Sequence, residues 1–146
     1  MTEAEGRAAV IRAAEGWIGT PWSHMGRVKG PNGGVDCAQF VFMAHVEAGL
    51  IALSEYPKVE WYPRDWFMHR DEDKLLAIVS RFLSETETPK PGDVALWRFG
   101  RTYSHAAIIT GWPDLIHADV EAGSVLPAYG NGGRLADRTP KFFTRW

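Results

Sequence analysis

The chain has 146 residues, 45% apolar and 23% charged, a composition typical of globular domains. At that length one core can form without disulfides, and a single domain over 1–146 is expected. Sixteen Lys and Arg against 18 Asp and Glu leave a formal charge of −2, which argues against a nucleic-acid partner. The single cysteine excludes an internal disulfide and any zinc site needing two cysteine ligands. No run approaches the ~20 apolar residues of a membrane span. Glu3, Glu5, Arg7, Arg12 and Glu15 make the N-terminus unlike a signal peptide.

Thr2 with Glu5 forms a capping-box pattern, and Val10, Ala14, Trp17 and Ile18 recur at helical spacing, so the first element is expected to be a helix. Gly19 and Pro21 stop it. Thr20–Val35 is loop-like and glycine-dense, as tight turning or close approach of the backbone to a ligand requires. Asp36 suits an N-cap, and Cys37, Phe40, Val41, Ala44 and Ala48 predict a second helix with one buried face, ended by Gly49. Leu50–Pro63 is irregular. Asp71–Glu85 predicts a third, amphipathic helix through Leu75, Leu76, Ile78, Val79, Phe82 and Leu83. Short strands then follow at Asp93–Phe99, Ser104–Thr110, Leu115–Val120, Ser124–Tyr129 and Lys141–Arg145. Helices first and sequential strands after them predict an α+β fold with an antiparallel sheet.

Cys37 would stand at a helix N-terminus, where the dipole and unpaired N–H groups favour the thiolate, the nucleophilic form. A lone cysteine on an apolar helix face reads equally as a small core residue. Two histidines bear on the choice. His105 opens one strand and His117 lies in the next, with Gly111, Trp112 and Pro113 at the turn between them. If the turn centres on Trp112, residue 117 opposes 107, and the two histidines become diagonal neighbours on one face, within reach of each other. A two-residue loop would instead put them on opposite faces. Asp119 shares the face of His117 and is the reserve partner. Nucleophile Cys37, base His105 and orienter His117 would complete a thiol–imidazole arrangement with a lowered thiol pKa. His24, His45 and His69 are the other histidines. Trp17 and Trp97 fit core faces, while Trp61, Tyr62 and Trp66 are candidates for a ligand rim or partner patch.

Five motifs, in order, resemble the NlpC/P60 family of papain-like cysteine peptidases: Gly19-Thr20-Pro21-Trp22, Asp36-Cys37-Ala38-Gln39-Phe40-Val41, Lys90-Pro91-Gly92-Asp93-Val94, Ser104-His105-Ala106-Ala107-Ile108-Ile109, and Leu115-Ile116-His117-Ala118. Within it the chain looks most like cell-wall peptidases encoded with phage tail genes. The resemblance implies a circularly permuted papain-like fold, with the cysteine helix packed on an antiparallel sheet. It implies amide hydrolysis in peptidoglycan stem peptides, and no cofactor or metal. It carries Cys37, His105 and His117 to catalysis and Asp36, Trp22 and Ser104 to substrate binding, with Asp36 on the substrate's free amino end. The chain departs from the family's Ser-Gly after the cysteine, having Ala38 and Gln39, and has Trp22 where Tyr is usual. Three other readings share these residues: an inactive structural or assembly module, an acyltransferase using the same thiol, and a metal site of Cys37, His105 and His117. With neither leader nor wall-binding module in view, delivery by a partner such as a phage-like tail is expected.

Overall fold

The computed structural model describes residues 1–55 and 74–146. Trp61, Tyr62 and Trp66 lie outside the described residues. Helix α1 spans Glu3–Gly16 and starts at Thr2, whose hydroxyl accepts from the Glu5 N–H at 3.1 Å. Trp17 caps its C-terminus and is buried, whereas Ile18, expected on the apolar face, is 44% exposed because the helix has already ended.

The glycine-dense segment holds a two-stranded antiparallel ribbon, β1 (Arg27–Val28) with β2 (Gly34–Val35). Its glycines bring the backbone against itself: a Cβ on Gly33 would lie 1.9 Å from the Val28 carbonyl oxygen. Close approach within the chain accounts for Gly26, Gly33 and Gly34, and a left-handed φ of 106° for Gly30.

Helix α2 spans Cys37–Glu47 with Asp36 as N-cap, and Gly49 takes a left-handed φ of 79° just beyond it. Phe40, Val41 and Ala44 are buried as expected, but so are Gln39, Phe42 and His45, so the helix is enclosed more widely than on one face. His45 returns a ring nitrogen to the Val41 carbonyl at 2.8 Å. Helix α3 is described over Lys74–Phe82. It stops short of the expected end because Ser84–Thr86 form β3, paired with the C-terminal strand.

The remaining strands are β4 (Val94–Phe99), β5 (Thr102–Gly111), β6 (Asp114–Asp119), β7 (Ser124–Tyr129) and β8 (Lys141–Thr144). They form an antiparallel sheet in the order β3-β8-β4-β5-β6-β7, so the last strand inserts between the third and the fourth. The helices pack on one face, where Val94, Leu96, Ala106, Ile108, Ile116 and Ala118 meet Val10, Ala14, Phe40, Val41 and Ala44. Each fully buried Leu or Ile there contributes roughly 1.5–3 kcal/mol. The other face carries a smaller cluster of Ala95, Trp97, Ala107, Ile109 and Leu115, covered by Leu135 from a short 3-10 turn, Gly133–Leu135. Arg7 ties α1 to the sheet through Asp93 at 2.8 Å and Thr144 at 3.2 Å. No helix among the described residues is long and apolar enough to cross a membrane.

Candidate active site

The β5–β6 hairpin decides where the two histidines fall. Its loop is Trp112-Pro113, since Gly111 pairs with Asp114. On parity alone a two-residue loop separates the histidines. The register shifts between Ile109 and Gly111, however, leaving Thr110 as an extra residue, and beyond this bulge Ile108 pairs with Ile116. That register sets 107 opposite 117, as the turn centred on Trp112 predicts. One bulge undoes the parity change made by the short loop.

His105 and His117 therefore share a face. Nε2 of His105 lies 2.7 Å from Nδ1 of His117, with the rings edge to face at 78°. Both residues are buried. Trp97, opposite His105 in β4, lies 5.7 Å away ring to ring, and Phe99 meets the His105 ring edge-on at 6.0 Å.

A second bulge supports the thiol. Trp97 pairs with His105, but Arg98 pairs with Tyr103, so Ser104 is extra. Its carbonyl accepts from Cys37 Sγ at 3.4 Å, and a main-chain hydrogen bond from Ala106 reaches the same sulfur. Ser104 and Ala106 flank His105, so the sulfur lies against the backbone on both sides of that histidine. Cys37 keeps part of its surface open. Ser104, expected to contact substrate, contributes its carbonyl to the thiol.

Asp36 places the thiol from the other side. One carboxylate oxygen accepts from the Gln39 N–H at 2.9 Å, and the other from the Met25 N–H at 2.8 Å. Met25 holds a left-handed φ of 60° to make this bond. Trp22 is fixed by its N–H to the Gly123 carbonyl at 2.8 Å and by a bridge to Val35, two residues before the cysteine.

The electrostatics differ from the sequence expectation. Burial, with a smaller contribution from the Asp36 carboxylate, pushes the Cys37 thiol up from 9.0 to about 12. Main-chain bonds from Ala106 and Ala38 and the charge of Arg134 pull the other way and do not prevail. The helix N-terminus thus fails to lower the thiol pKa, because desolvation outweighs it. Burial also holds His105 well below 6.5, reinforced by His117 and Arg134, and holds His117 below 6.5. The resting set is a neutral thiol beside neutral imidazoles. Among the described residues no three His, Cys, Asp or Glu side chains form a group that could hold a metal ion.

The reserve partner Asp119 is engaged elsewhere, accepting from Arg134 Nη2 at 2.6 Å. Sequence reasoning missed Arg134. The available signal was an acidic residue on a largely buried strand face, which calls for a cation, but nothing in the spacing named this one.

A thiol at a helix start, against a strand bearing one of two hydrogen-bonded histidines, on a helix-covered antiparallel sheet, is an NlpC/P60-type α+β domain. The chain belongs to the CHAP domain family, whose model matches residues 26–123. The peptidoglycan hydrolase RipB from Mycobacterium tuberculosis superposes with a TM-score of 0.63 at 21% identity, over 99% of this chain and 68% of that one. The NlpC/p60 domain of the peptidoglycan hydrolase SagA gives 0.58 at 20% identity, over 94% and 97%. RipD from Mycobacterium tuberculosis, described as a non-catalytic NlpC/p60 domain protein adapted to peptidoglycan binding, gives 0.58 at 16% identity, over 95% and 96%. No curated protein matches the sequence significantly.

Proposed function

We propose that the chain is a cysteine peptidase or amidase that hydrolyses amide bonds in peptidoglycan stem peptides. The observation that carries this reading is the 2.7 Å His105–His117 bond beside a sulfur seated against the backbone of His105. With Nε2 of His105 engaged by His117, Nδ1 is the nitrogen left to serve the thiol. For Nδ1 to accept a proton, Nε2 must carry one and donate it to Nδ1 of His117, which fixes both tautomers. Cys37 Sγ then attacks the amide carbonyl as its proton passes to His105 Nδ1. The resulting imidazolium is stabilised by His117 and gives its proton to the leaving amine. A thioester remains, and water activated by His105 releases the acid.

The raised thiol pKa suits transfer of the proton during attack rather than a preformed thiolate. The resemblance assigns the substrate's free amino end to Asp36, which stands at the N-cap beside Cys37, and Trp22 is bridged to the same segment through Val35. Association with a phage-like tail rests on the sequence resemblance, and co-purification with tail proteins is its test.

Digestion of purified peptidoglycan, read by mass spectrometry, tests the activity. Matched new amine and carboxyl ends are expected from the native chain and none from Cys37→Ala. Binding without cleavage by the native chain would replace this reading with a second one, a non-catalytic peptidoglycan-binding domain. That reading is favoured by the desolvated thiol and by the likeness to RipD. Transfer of the acyl group to an added amine instead of water would mark an acyltransferase.

A further inference from the structure

We propose that Arg134 is a positioning residue: it holds the Asp119 carboxylate on itself, so that His105 and His117 keep their neutral, mutually hydrogen-bonded form. The proposal builds on the reading of these histidines as base and orienter. Asp119 lies two residues beyond His117 in β6 and shares its face. The hairpin register, carried on from Ile108 and Ile116, sets residue 119 opposite residue 105. The Asp119 charge acts on His117, and a carboxylate beside an imidazole favours the imidazolium. The histidine bond cannot survive protonation of both rings, because two N–H donors would then face each other.

Arg134 prevents this in two ways. Its Nη2 takes Asp119 Oδ1 at 2.6 Å, with the Arg134 and Asp119 side chains 28% and 15% exposed. Its guanidinium also lies over the Phe99 ring, 5.2 Å from the centroid, and the same ring meets His105 edge-on. A fixed positive charge thus stands one aromatic ring away from His105. Among the described residues, Trp97 and Phe99 of β4 pack on His105, and Cys37 of α2, with Asp36 beside it, bonds the backbone next to His105. Beyond them, Glu121 lies 3.9 Å from Arg134 Nε and Arg138 lies over Phe99 at 3.9 Å. After burial, Asp119 raises the pKa of His117 and Arg134 lowers it, as the geometry requires.

The test is a pH titration of the full chain carrying isotope-labelled histidine. The ring resonances are assigned with His105→Gln and His117→Gln. In Arg134→Met the His117 midpoint is expected to rise by about 1 pH unit. Adding Asp119→Asn should return it, and Arg134→Lys should keep it low. Should Arg134→Met disturb the amide spectrum, Asp119→Asn alone serves, and it must lower the midpoint. An unmoved midpoint in Arg134→Met, or a rise that survives loss of the carboxylate, would overturn the proposal. The titration needs no turnover, so a chain that hydrolyses nothing yet shows the shift refutes the proposed activity and not this inference.

Discussion

On the helix-covered face of β4, β5 and β6, Val94, Leu96, Ala106, Ile108, Ile116 and Ala118 are all buried and all apolar. On the opposite face Ala95, Ala107, Ile109 and Leu115 share the same strands with His105, His117 and Asp119. Burial on the first face is non-directional and roughly additive in area. On the second face each polar group must find a partner of fixed geometry or forfeit about 1–3 kcal/mol. Both bulges lie in β5, at Ser104 and Thr110, and each serves the polar groups of the site. One frees a carbonyl for the thiol; the other brings the histidines to the same side.

Substitutions on the two faces should separate catalysis from stability. The largest effect is expected from Cys37→Ala, which should lower hydrolysis to background while leaving thermal stability nearly unchanged. His117→Ala should reduce turnover by about 10²-fold or more, the scale on which a positioned acid or base acts, with little change in substrate binding. Equal losses in binding and turnover would show that the second face is merely structural. On the first face the order inverts. Leu96→Ala or Ile108→Ala should cost about 2–5 kcal/mol in denaturant unfolding, with turnover of the folded fraction intact.

The pH dependence of stability comes from the polar residues. His45, His105 and His117 are all held below 6.5, chiefly by burial, so the folded chain takes up their protons less readily than the unfolded one. Stability is therefore full above 6.5 and falls as the pH drops below it. Cys37 acts in the opposite sense: raised from 9.0 to about 12, it contributes stability that is complete below 9.0 and lost as the pH climbs through that interval. The denaturation midpoint should be highest between the two limits, and Cys37→Ala should remove the alkaline decline. The smallest effect is kinetic. Alkylation of the resting thiol should inflect above 9.0, and an inflection near neutrality would mean an ion pair that this geometry does not produce.

Much of the fold was legible residue by residue. Thr2 and Asp36 announce their helices because an N-cap is a bond between a side chain and an N–H three residues away. Short apolar and β-branched runs between Gly, Pro, Asp and Asn placed five of the sheet's strands to within two residues at either end. Ser84 and Glu85 were read as helix although they belong to a strand, because the pairing of Ser84–Thr86 with β8, nearly 60 residues on, leaves no local trace. At the site, the shared face of His105 and His117 was correctly anticipated, although the loop proved shorter and a bulge restored the parity.

By itself the sequence determined what neighbouring residues decide: the caps, the periodicities, a cysteine at a helix start, and two histidines a hairpin apart. Tertiary structure alone decided the rest. Ser104 and Ala106 reach Cys37 across nearly 70 positions, and the packing around them sets its solvation and reverses the expected direction of its pKa. Arg134 meets Asp119 only because the Gly133–Leu135 turn buries Leu135 against the second face of the sheet. Solvation and charge pairing depend on what lies nearby in space, and a linear pattern carries only what lies nearby along the chain.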